Sequence, residues 1–325
     1  MMRSLWTASS GMLSQQTNLD TIAHNLSNIN TVGYKKETAE FKSLLYQTIR
    51  EASTDSEGNP KATAIQVGSG VRNSAIQSIF VQGPLTASDG PFDLGIQGNG
   101  FFMVRDTAGE TAYTRSGAFQ ASVAAGGKVI LATSDGNPVL DNQGKEIVLW
   151  QRQDAGTGTN AAGNAGTNNT TAAEAQNWSV NDIIVYENGQ VVRVVRTKVR
   201  VDQNGKEVVQ TPDQPVDMKN TREVEKVSYV DVAKLGVAQF NNPSGLIKAG
   251  GSLLYQSDAS GAARIEGQDT GLKQSVVKQG YLEASNVQAV DEMVNMIVAQ
   301  RAYELNSKII TASDEMLQQA NNLRR

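Results

Sequence analysis

The sequence predicts an α+β protein with a long helix at each end of the chain and an all-β region between them. Near both termini, apolar residues recur at steps of three and four, the rhythm of helices that pair in coiled coils. Between these segments, short apolar runs alternate with glycine-containing turns, as strands do. The expected architecture is therefore a coiled-coil-like domain formed by both termini, with a discontinuous all-β domain between them.

The N-terminal helix is predicted from an apolar seam, in which Gln15 is the one polar member. The seam residues expected to pack against another helix are Leu5, Ala8, Met12, Leu19, Ile22, Leu26 and Ile29. The opposite positions are polar: Ser14, Asn18, Thr21, Asn25 and Asn28. Ser4 is placed to cap the start of the helix. Gly33 lies in the turn that ends it, where a positive φ would require glycine.

The C-terminal helix is predicted from a second seam with the same rhythm, which slips by one residue at Val298. Its candidate interface residues are Val287, Val290, Val294, Ile297, Ala302, Leu305, Ile309 and Met316. The segment from Ser285 to Gln288 has the spacing of a capping box, so the helix is expected to begin there.

The middle of the chain is predicted to form strands joined by turns. The strands are expected near residues 128–132, 146–149, 183–186, 191–201, 227–230 and 235–240. Residues 154–176 are almost entirely Gly, Ala, Asn and Thr, which predicts a flexible loop. The expected domains are a helical domain (1–33 and 283–325), an extended connecting segment (34–80) and a β domain (81–282).

Composition and charge exclude several classes of partner and site. The net charge is -4 without a basic block, so neither nucleic acid nor an anionic membrane surface is an expected partner. There is no cysteine, which excludes disulfides, zinc-thiolate sites and a cysteine nucleophile. No apolar stretch is long enough for a membrane-spanning helix, and no cleavable signal peptide is visible, so export would need another route.

An enzyme is not expected, and neither is a cofactor or a metal. His24 is the sole histidine and has no acidic cluster beside it. The Gly95 to Gly100 run superficially resembles a phosphate loop, but a Phe-rich strand follows it and the lysine of such loops is missing, so a turn between strands is predicted. Asp89, Asp93 and Asp106 do not have the spacing of a calcium loop.

The terminal seams leave two arrangements open, and the residues also allow a function of another class. The two helices could form an intramolecular hairpin on the β domain, or they could bury their apolar stripes against other copies of the chain in a polymer. The other class of function is an extracellular carbohydrate-binding or adhesin module, for which Trp150 and Trp178 would be candidate sugar platforms. Trp150 is expected more often in core or edge packing than in sugar binding.

Five blocks in the same order along the chain resemble the family of flagellar rod and hook proteins. The blocks are Ser4 to Phe41, with its Asn25-Leu26-Ser27-Asn28-Ile29-Asn30-Thr31 motif; Leu44 to Arg50; Val67 to Val71; Gln82 to Phe102 with Tyr113 to Gly117; and Gly280 to Val287 followed by Met293 to Lys308. Residues 151–230 are longer and more divergent than is usual in that family. The resemblance therefore covers both ends of the chain better than its middle.

Within that family, the chain is most similar to the distal rod members. In those proteins the segment between Leu45 and Val71 is associated with a straight, stiff tube, which argues against a curved hook protein. The residues of this rod-type segment are Glu51, Gly58, Pro60, Val67 and Gly68. A proximal rod or hook-type axial protein remains the alternative within the family.

The resemblance implies a non-enzymatic subunit of a rigid helical tube that transmits torque from motor to hook and encloses an export channel. Its implied partners are other copies of the chain, proximal rod proteins, the hook protein, the basal-body ring proteins and the flagellar type III export apparatus. The implied location is the basal-body rod across the periplasm, reached without a cleaved signal peptide. Neither nucleic acid binding nor membrane insertion is implied.

Overall fold

A computed structural model describes residues 2–50, 65–151, 182–202, 221–269 and 271–323. The chain divides into two compact units, Met1–Pro84 with Ala284–Arg325 and Leu85–Glu283. The first contains the terminal helices and is called the helical unit; the second contains strands and is called the β unit. The α+β class with a helix at each end and a largely β middle is confirmed.

The helical unit contains two long helices and two antiparallel strand pairs. The helices are α1 (Met2–Ser27) and α2 (Ala289–Asn322). The strands are β1 (Glu37–Ser43), β2 (Tyr46–Arg50), β3 (Ile65–Gly68) and β4 (Val71–Ser78). β1 pairs with β4, and β2 pairs with β3. The described part of residues 34–80 therefore forms strands within this unit.

Two predicted helix starts are wrong. Helix α1 already includes Met2, so Ser4 lies inside its first turn rather than at its cap. Helix α2 begins at Ala289, and the side chain of Gln288 makes no capping hydrogen bond. Before Ala289 the chain is held by other contacts: Ser285 Oγ accepts from the Val287 amide at 3.3 Å, and Asn286 Nδ2 donates to the carbonyls of Ile79 and Val81, at 2.9 and 3.1 Å. The Gly33 turn was predicted correctly, since its φ is 71°.

The β unit contains sixteen named strands among its described residues. They are β5 (Leu85–Ala87), β6 (Leu94–Gln97), β7 (Phe101–Arg105), β8 (Thr111–Thr114), β9 (Phe119–Ala124), β10 (Lys128–Thr133), β11 (Val148–Gln151), β12 (Ile183–Val185), β13 (Gln190–Asp202), β14 (Thr221–Lys234), β15 (Val237–Gln239), β16 (Ile247–Lys248), β17 (Leu253–Tyr255), β18 (Arg264–Ile265), β19 (Val276–Gln279) and β20 (Tyr281–Glu283).

The largest sheet of the β unit has six strands in the order β16-β17-β8-β7-β15-β18. Two three-stranded sheets have the orders β11-β10-β9 and β12-β13-β14, and the pairs β19-β6 and β20-β5 complete the unit. The core lies among these sheets, where Phe102 meets Phe119 edge to face with ring centroids 5.0 Å apart. Trp150 is half-buried and packs against this core, as expected.

Most of the predicted strands are present, with shifted ends. Strands are observed at 128–133, 183–185 and 190–202. The strand expected at 146–149 begins at Val148, the one expected at 227–230 is part of the longer β14, and the one expected at 235–240 is limited to β15. The Gly/Ala/Asn/Thr tract and Trp178 lie outside the described residues. Neither helix in the described part of the chain is apolar enough to cross a bilayer.

Candidate subunit interface

Helices α1 and α2 run antiparallel and meet along a line of small and polar residues. Ser4 Oγ lies 3.4 Å from Ser313 Oγ, and Asn25 Nδ2 donates to Glu292 Oε2 at 3.2 Å. Between these pairs, a Cβ placed on Gly11 would lie 2.9 Å from Asn306 Nδ2. Each step of seven residues towards the C-terminus of α1 thus corresponds to a step of seven residues towards the N-terminus of α2. We call the residues involved the contact line: Ser4, Gly11, Asn18 and Asn25 of α1, and Glu292, Ala299, Asn306 and Ser313 of α2.

The predicted seam of α1 is only partly covered within the protomer. Ala8 and Ile22 are buried. The remaining members are half-buried: Leu5, Met12, Leu19, Leu26 and Ile29. The polar residues Ser14, Thr21 and Asn25, on the other side of the seam, are buried as well. The apolar periodicity of the sequence did not predict the burial of these polar residues, because small polar side chains spaced by seven residues can also form a close contact between helices.

The predicted seam of α2 is largely exposed, although Val287 is buried and Ala302 is half-buried. Its large apolar side chains are between 46% and 68% exposed. We call these residues the α2 stripe: Val290, Val294, Ile297, Val298, Leu305, Ile309 and Met316. At 3.6 residues per turn they cover an arc of about 120°, centred about 120° from the contact line. Since α1 packs on the contact line, it leaves the α2 stripe open.

A polar junction joins the end of α1, the start of β1 and the first turn of α2. We define it as Asn25, Tyr34, Lys36, Glu37 and Glu292. The Asn25 side chain donates to the Glu37 carbonyl and accepts from the Glu37 amide, both at 2.8 Å. Lys36 Nζ lies 2.5 Å from Glu292 Oε1 in an ion pair. Asn25 and Glu292 are each only 1% exposed, so the ion pair and these hydrogen bonds compensate for burying their polar atoms.

The hydroxyl of Tyr34 is held in its protonated form. It donates to Asn25 Oδ1 at 3.0 Å and lies 2.9 Å from His24 Nδ1. Burial raises the pKa of Tyr34 well above its ordinary value of 10.0, and the negative charges of Glu37 and Glu292 raise it further. Tyr34 therefore remains a hydrogen-bond donor at any physiological pH. His24 is a partly exposed hydrogen-bond partner of this tyrosine.

A groove of about 310 Å³ lies beside the polar junction, between α1, β1 and α2. Its lining includes Thr21, Ile22, Ala39, Phe41, Glu292 and Val298. Val298 also belongs to the α2 stripe, so the groove and the stripe are continuous. Among the residues that the structure describes, no group of three or more His, Asp or Glu side chains is arranged to hold a metal ion.

The rod-type segment lies partly within the described strands. Val67 and Gly68 are in β3, and a Cβ placed on Gly68 would lie 3.5 Å from the ring of Tyr46 on β2. Glu51, Gly58 and Pro60 lie outside the described residues. Large apolar side chains are exposed along β1 to β4: Phe41, Tyr46, Ile49, Ile65, Val67 and Ile76. Two-stranded ribbons are only marginally stable by themselves, so these side chains are candidates for contacts with another chain.

Gly95 to Gln97 belong to strand β6, and Gly98 to Gly100 form the predicted turn between strands. This turn connects β6 with β7. The carbonyl groups of the Gly95 to Gly100 run face the guanidinium of Arg115, whereas a phosphate loop points its amide groups at an anion. Arg115 Nη2 donates to the carbonyls of Ile96 and Gly98 at 3.2 and 2.6 Å. The amide of Gly100 donates to Ser275 Oγ at 3.2 Å. A run of this geometry does not form a phosphate cradle.

Three parts of the chain match families of flagellar proteins. Residues 5–35 match "Flagella basal body rod protein", residues 95–210 match "Flagellar hook protein FlgE/F/G D1 domain", and residues 278–323 match "Flagellar basal body rod FlgEFG protein C-terminal". Over 326 residues, the chain is 36% identical to the flagellar basal-body rod protein FlgG of Borreliella burgdorferi, with 100% of both chains covered.

The chain belongs to the FlgG family of flagellar basal-body rod proteins. Similarity to other FlgG proteins also extends over the whole chain: 34% identity to that of Caulobacter vibrioides, covering 99% of this chain and 100% of the relative, and 33% to that of Bacillus subtilis, covering 100% of each. The flagellar hook protein FlgE of Borreliella burgdorferi is 26% identical over 98% of this chain and 99% of its own. The resemblance inferred from the five sequence blocks is thereby confirmed. FlgG-family membership makes the chain a structural subunit of the flagellar rod, located in the basal body.

Proposed function

We propose that this FlgG-family chain assembles with other copies of itself into the distal rod, and that the α2 stripe is buried between copies. The observation that carries the proposal is the position of the stripe. Seven large apolar residues lie on a face of α2 that α1 does not cover. Apolar faces of this size on a soluble protein are typical of protein interaction sites.

The energies favour a polymer of this kind. Fully burying one Val, Leu, Ile or Met side chain contributes about 1.5 to 3 kcal/mol, and these side chains begin about half exposed. At about half of that value each, seven of them contribute about 5 to 10 kcal/mol, which is comparable with an association cost of roughly 4 to 15 kcal/mol. The half-buried residues of the α1 seam and the exposed apolar residues of β1 to β4 add further contact area.

In the proposed rod, the terminal helices form a coiled-coil-like inner wall around the export channel, and the β units face outward. Torque then passes through noncovalent contacts between copies, and no bond-making chemistry is required. The proposed partners are proximal rod proteins, the hook protein and basal-body ring proteins. Delivery by the flagellar type III apparatus without a cleaved signal would place the subunit in the periplasm-spanning rod.

The distal position is supported by the segment between Tyr46 and Val71, where β2 and β3 form a hairpin-like pair. We propose that this segment contacts neighbouring copies and keeps the tube straight. The alternative of a carbohydrate-binding module has less support, because Trp150 packs against the core of the β unit. A half-buried indole of this kind offers little free ring surface to a sugar.

The location of the chain in purified basal bodies tests this proposal. The experiment is electron microscopy of basal bodies that carry an epitope-tagged chain, decorated with gold-labelled antibody. We expect label confined to the rod just below the hook. Label near the inner membrane would contradict the distal assignment in favour of a proximal one. Basal bodies without label, when the tagged chain supports motility, would contradict rod membership of any kind.

A further inference from the structure

We infer that the buried pair Asn25 and Glu292 sets the register in which α1 and α2 pair. Asn25 Nδ2 lies 3.2 Å from Glu292 Oε2, and both residues are almost fully buried. This inference concerns a single protomer and goes beyond the proposed assembly. It assigns to two polar residues the choice among several helix alignments that the rest of the interface distinguishes only weakly.

The rest of the contact line discriminates only weakly between registers. It repeats every seven residues, so a shift of one heptad would place Ser4 opposite Asn306 and Gly11 opposite Ala299. These pairings are again small or polar and fit a close approach of the helices. The shift would bring the Cβ of Ser4 opposite Asn306, where a Cβ on Gly11 would lie 2.9 Å from Asn306 Nδ2. Because this atom ends a flexible side chain, side-chain size opposes the shift only weakly.

The apolar seam of α1 discriminates only in part. Leu5, Met12, Leu19 and Leu26 are spaced by seven, and so are Ala8, Gln15, Ile22 and Ile29. After a shift of one heptad, the first row again presents a large apolar residue at each position except at the ends, whereas in the second row Gln15 would take the buried position of Ile22. Burial of one amide opposes the shift, but the first row leaves the register degenerate, as in coiled coils without a buried polar residue.

The polar junction breaks this degeneracy. Asn25 is fixed to the start of β1 by its two hydrogen bonds with the backbone of Glu37, and Lys36 is the neighbouring residue. Lys36 Nζ therefore reaches Glu292 Oε1 only when Glu292 lies opposite Asn25. A shift of one heptad moves Glu292 about 10 Å along the helix, away from both partners. The shifted register would bury a carboxylate without its cation, which proteins strongly disfavour.

Engineered disulfides in the full-length chain, which has no native cysteine, measure the register. Ser4→Cys with Ser313→Cys reports the observed register, because the two hydroxyl oxygens are 3.4 Å apart. Ser4→Cys with Asn306→Cys reports a shift of one heptad. Oxidised chains are scored by non-reducing electrophoresis and peptide mass mapping. In the otherwise unchanged chain, we expect the 4–313 bond to dominate; a chain that forms the 4–306 bond equally well, or neither bond, would contradict the inference.

The decisive variant replaces Asn25 and Glu292 together by leucine. We expect it to keep its helical circular dichroism while the ratio of the 4–313 to the 4–306 bond falls about tenfold. An unchanged ratio in a folded double variant would overturn the inference. If the double variant does not fold, Glu292→Gln decides in the same way, since it removes only the charge that faces Lys36.

A matched control separates register selection from burial of a polar group in general. Thr21 is buried on α1, but its Oγ1 donates within the helix to the carbonyl of Thr17 at 2.8 Å. Thr21→Val should therefore leave the disulfide ratio unchanged. A fall in the ratio as large as that of the leucine double variant would assign register selection to packing and contradict the role of Asn25 and Glu292.

Discussion

Arg115 and Glu283 form an ion pair inside the β unit, with 5% and 1% of their side chains exposed. Arg115 also donates to the carbonyls of Gly98 and Gly100, so one guanidinium satisfies the Gly95 to Gly100 turn and the end of β20. Charge-assisted hydrogen bonds of this kind are among the strongest in proteins. Through these bonds Arg115 connects the turn with β20, the last strand of the β unit.

Arg115→Met is expected to destabilise the β unit by about 3 to 5 kcal/mol, because it leaves the Glu283 carboxylate buried without a cation. The measurement is urea unfolding of the full chain, followed by circular dichroism. Arg264→Met is the control: its ion pair with Asp269 is partly exposed, and such pairs contribute about 0 to 1 kcal/mol. Equal losses of unfolding free energy in the two variants would show that burial of the Arg115–Glu283 pair does not make it more stabilising than an exposed pair.

Gly117→Ala is expected to be strongly destabilising for a steric reason. A Cβ at Gly117 would lie 1.7 Å from the carbonyl oxygen of Leu94, and the Leu94 amide donates to the Gly117 carbonyl at 3.0 Å. Backbone cannot retreat as a flexible side chain can, so we expect a loss of at least about 1 to 3 kcal/mol. The thermal midpoint of the purified chain measures it.

Gly250 provides the comparison for Gly117. No atom lies within 4 Å of a Cβ placed there. Gly250→Ala should therefore change stability by no more than about 0.5 kcal/mol. If Gly117→Ala proves equally mild, the close contact between Gly117 and Leu94 is not a constraint on the fold.

The helical unit is expected to lose stability at alkaline pH through Tyr34. Its pKa is raised in the folded state, so the folded state retains this proton where the unfolded state has lost it. The contribution of Tyr34 is thus complete below pH 10, the ordinary tyrosine value, and declines as pH rises above it. Alkaline unfolding, monitored by helical circular dichroism, should be less steep in Tyr34→Phe. An identical slope in both proteins would rule out this tyrosine as the cause.

Sequence reasoning succeeded where one physical signal dominates. Amphipathic periodicity indicated both helices, and alternating apolar runs with glycine turns indicated β10, β12 and β13. It placed the start of α2 too early, since Asn286 donates to the distant carbonyls of Ile79 and Val81 and the helix begins only at Ala289. Local capping rules do not contain such long-range hydrogen bonds.

The contact line and the polar junction also escaped prediction. Asn25 has the same polarity as a solvent-exposed helix residue, and only its proximity to Glu37 and Glu292 explains its burial. A signal was nevertheless present: small or polar residues recur every seven positions in both terminal segments, at Ser4, Gly11, Asn18 and Asn25, and at Glu292, Ala299, Asn306 and Ser313. The other contacts between α1 and α2 cannot be predicted from either helix alone, because they depend on which residues of the second helix lie opposite.

Burial of the α2 stripe between copies of the chain is tested by a single substitution in the stripe. Ile297 is 57% exposed in the protomer, so Ile297→Asp should leave the fold of the purified chain intact. In the rod it would bury an unpaired carboxylate, which is strongly unfavourable. Gln300→Asp, at an exposed position of α2 outside the stripe, is the matched control.

The measurement is the number of complete rods, counted by electron microscopy, in basal bodies from cells whose only copy of the chain carries each substitution. We expect Ile297→Asp to abolish rods beyond the proximal part, while Gln300→Asp supports normal numbers and both purified proteins show unchanged circular dichroism. Complete rods in normal numbers from the Ile297→Asp chain would contradict burial of the stripe.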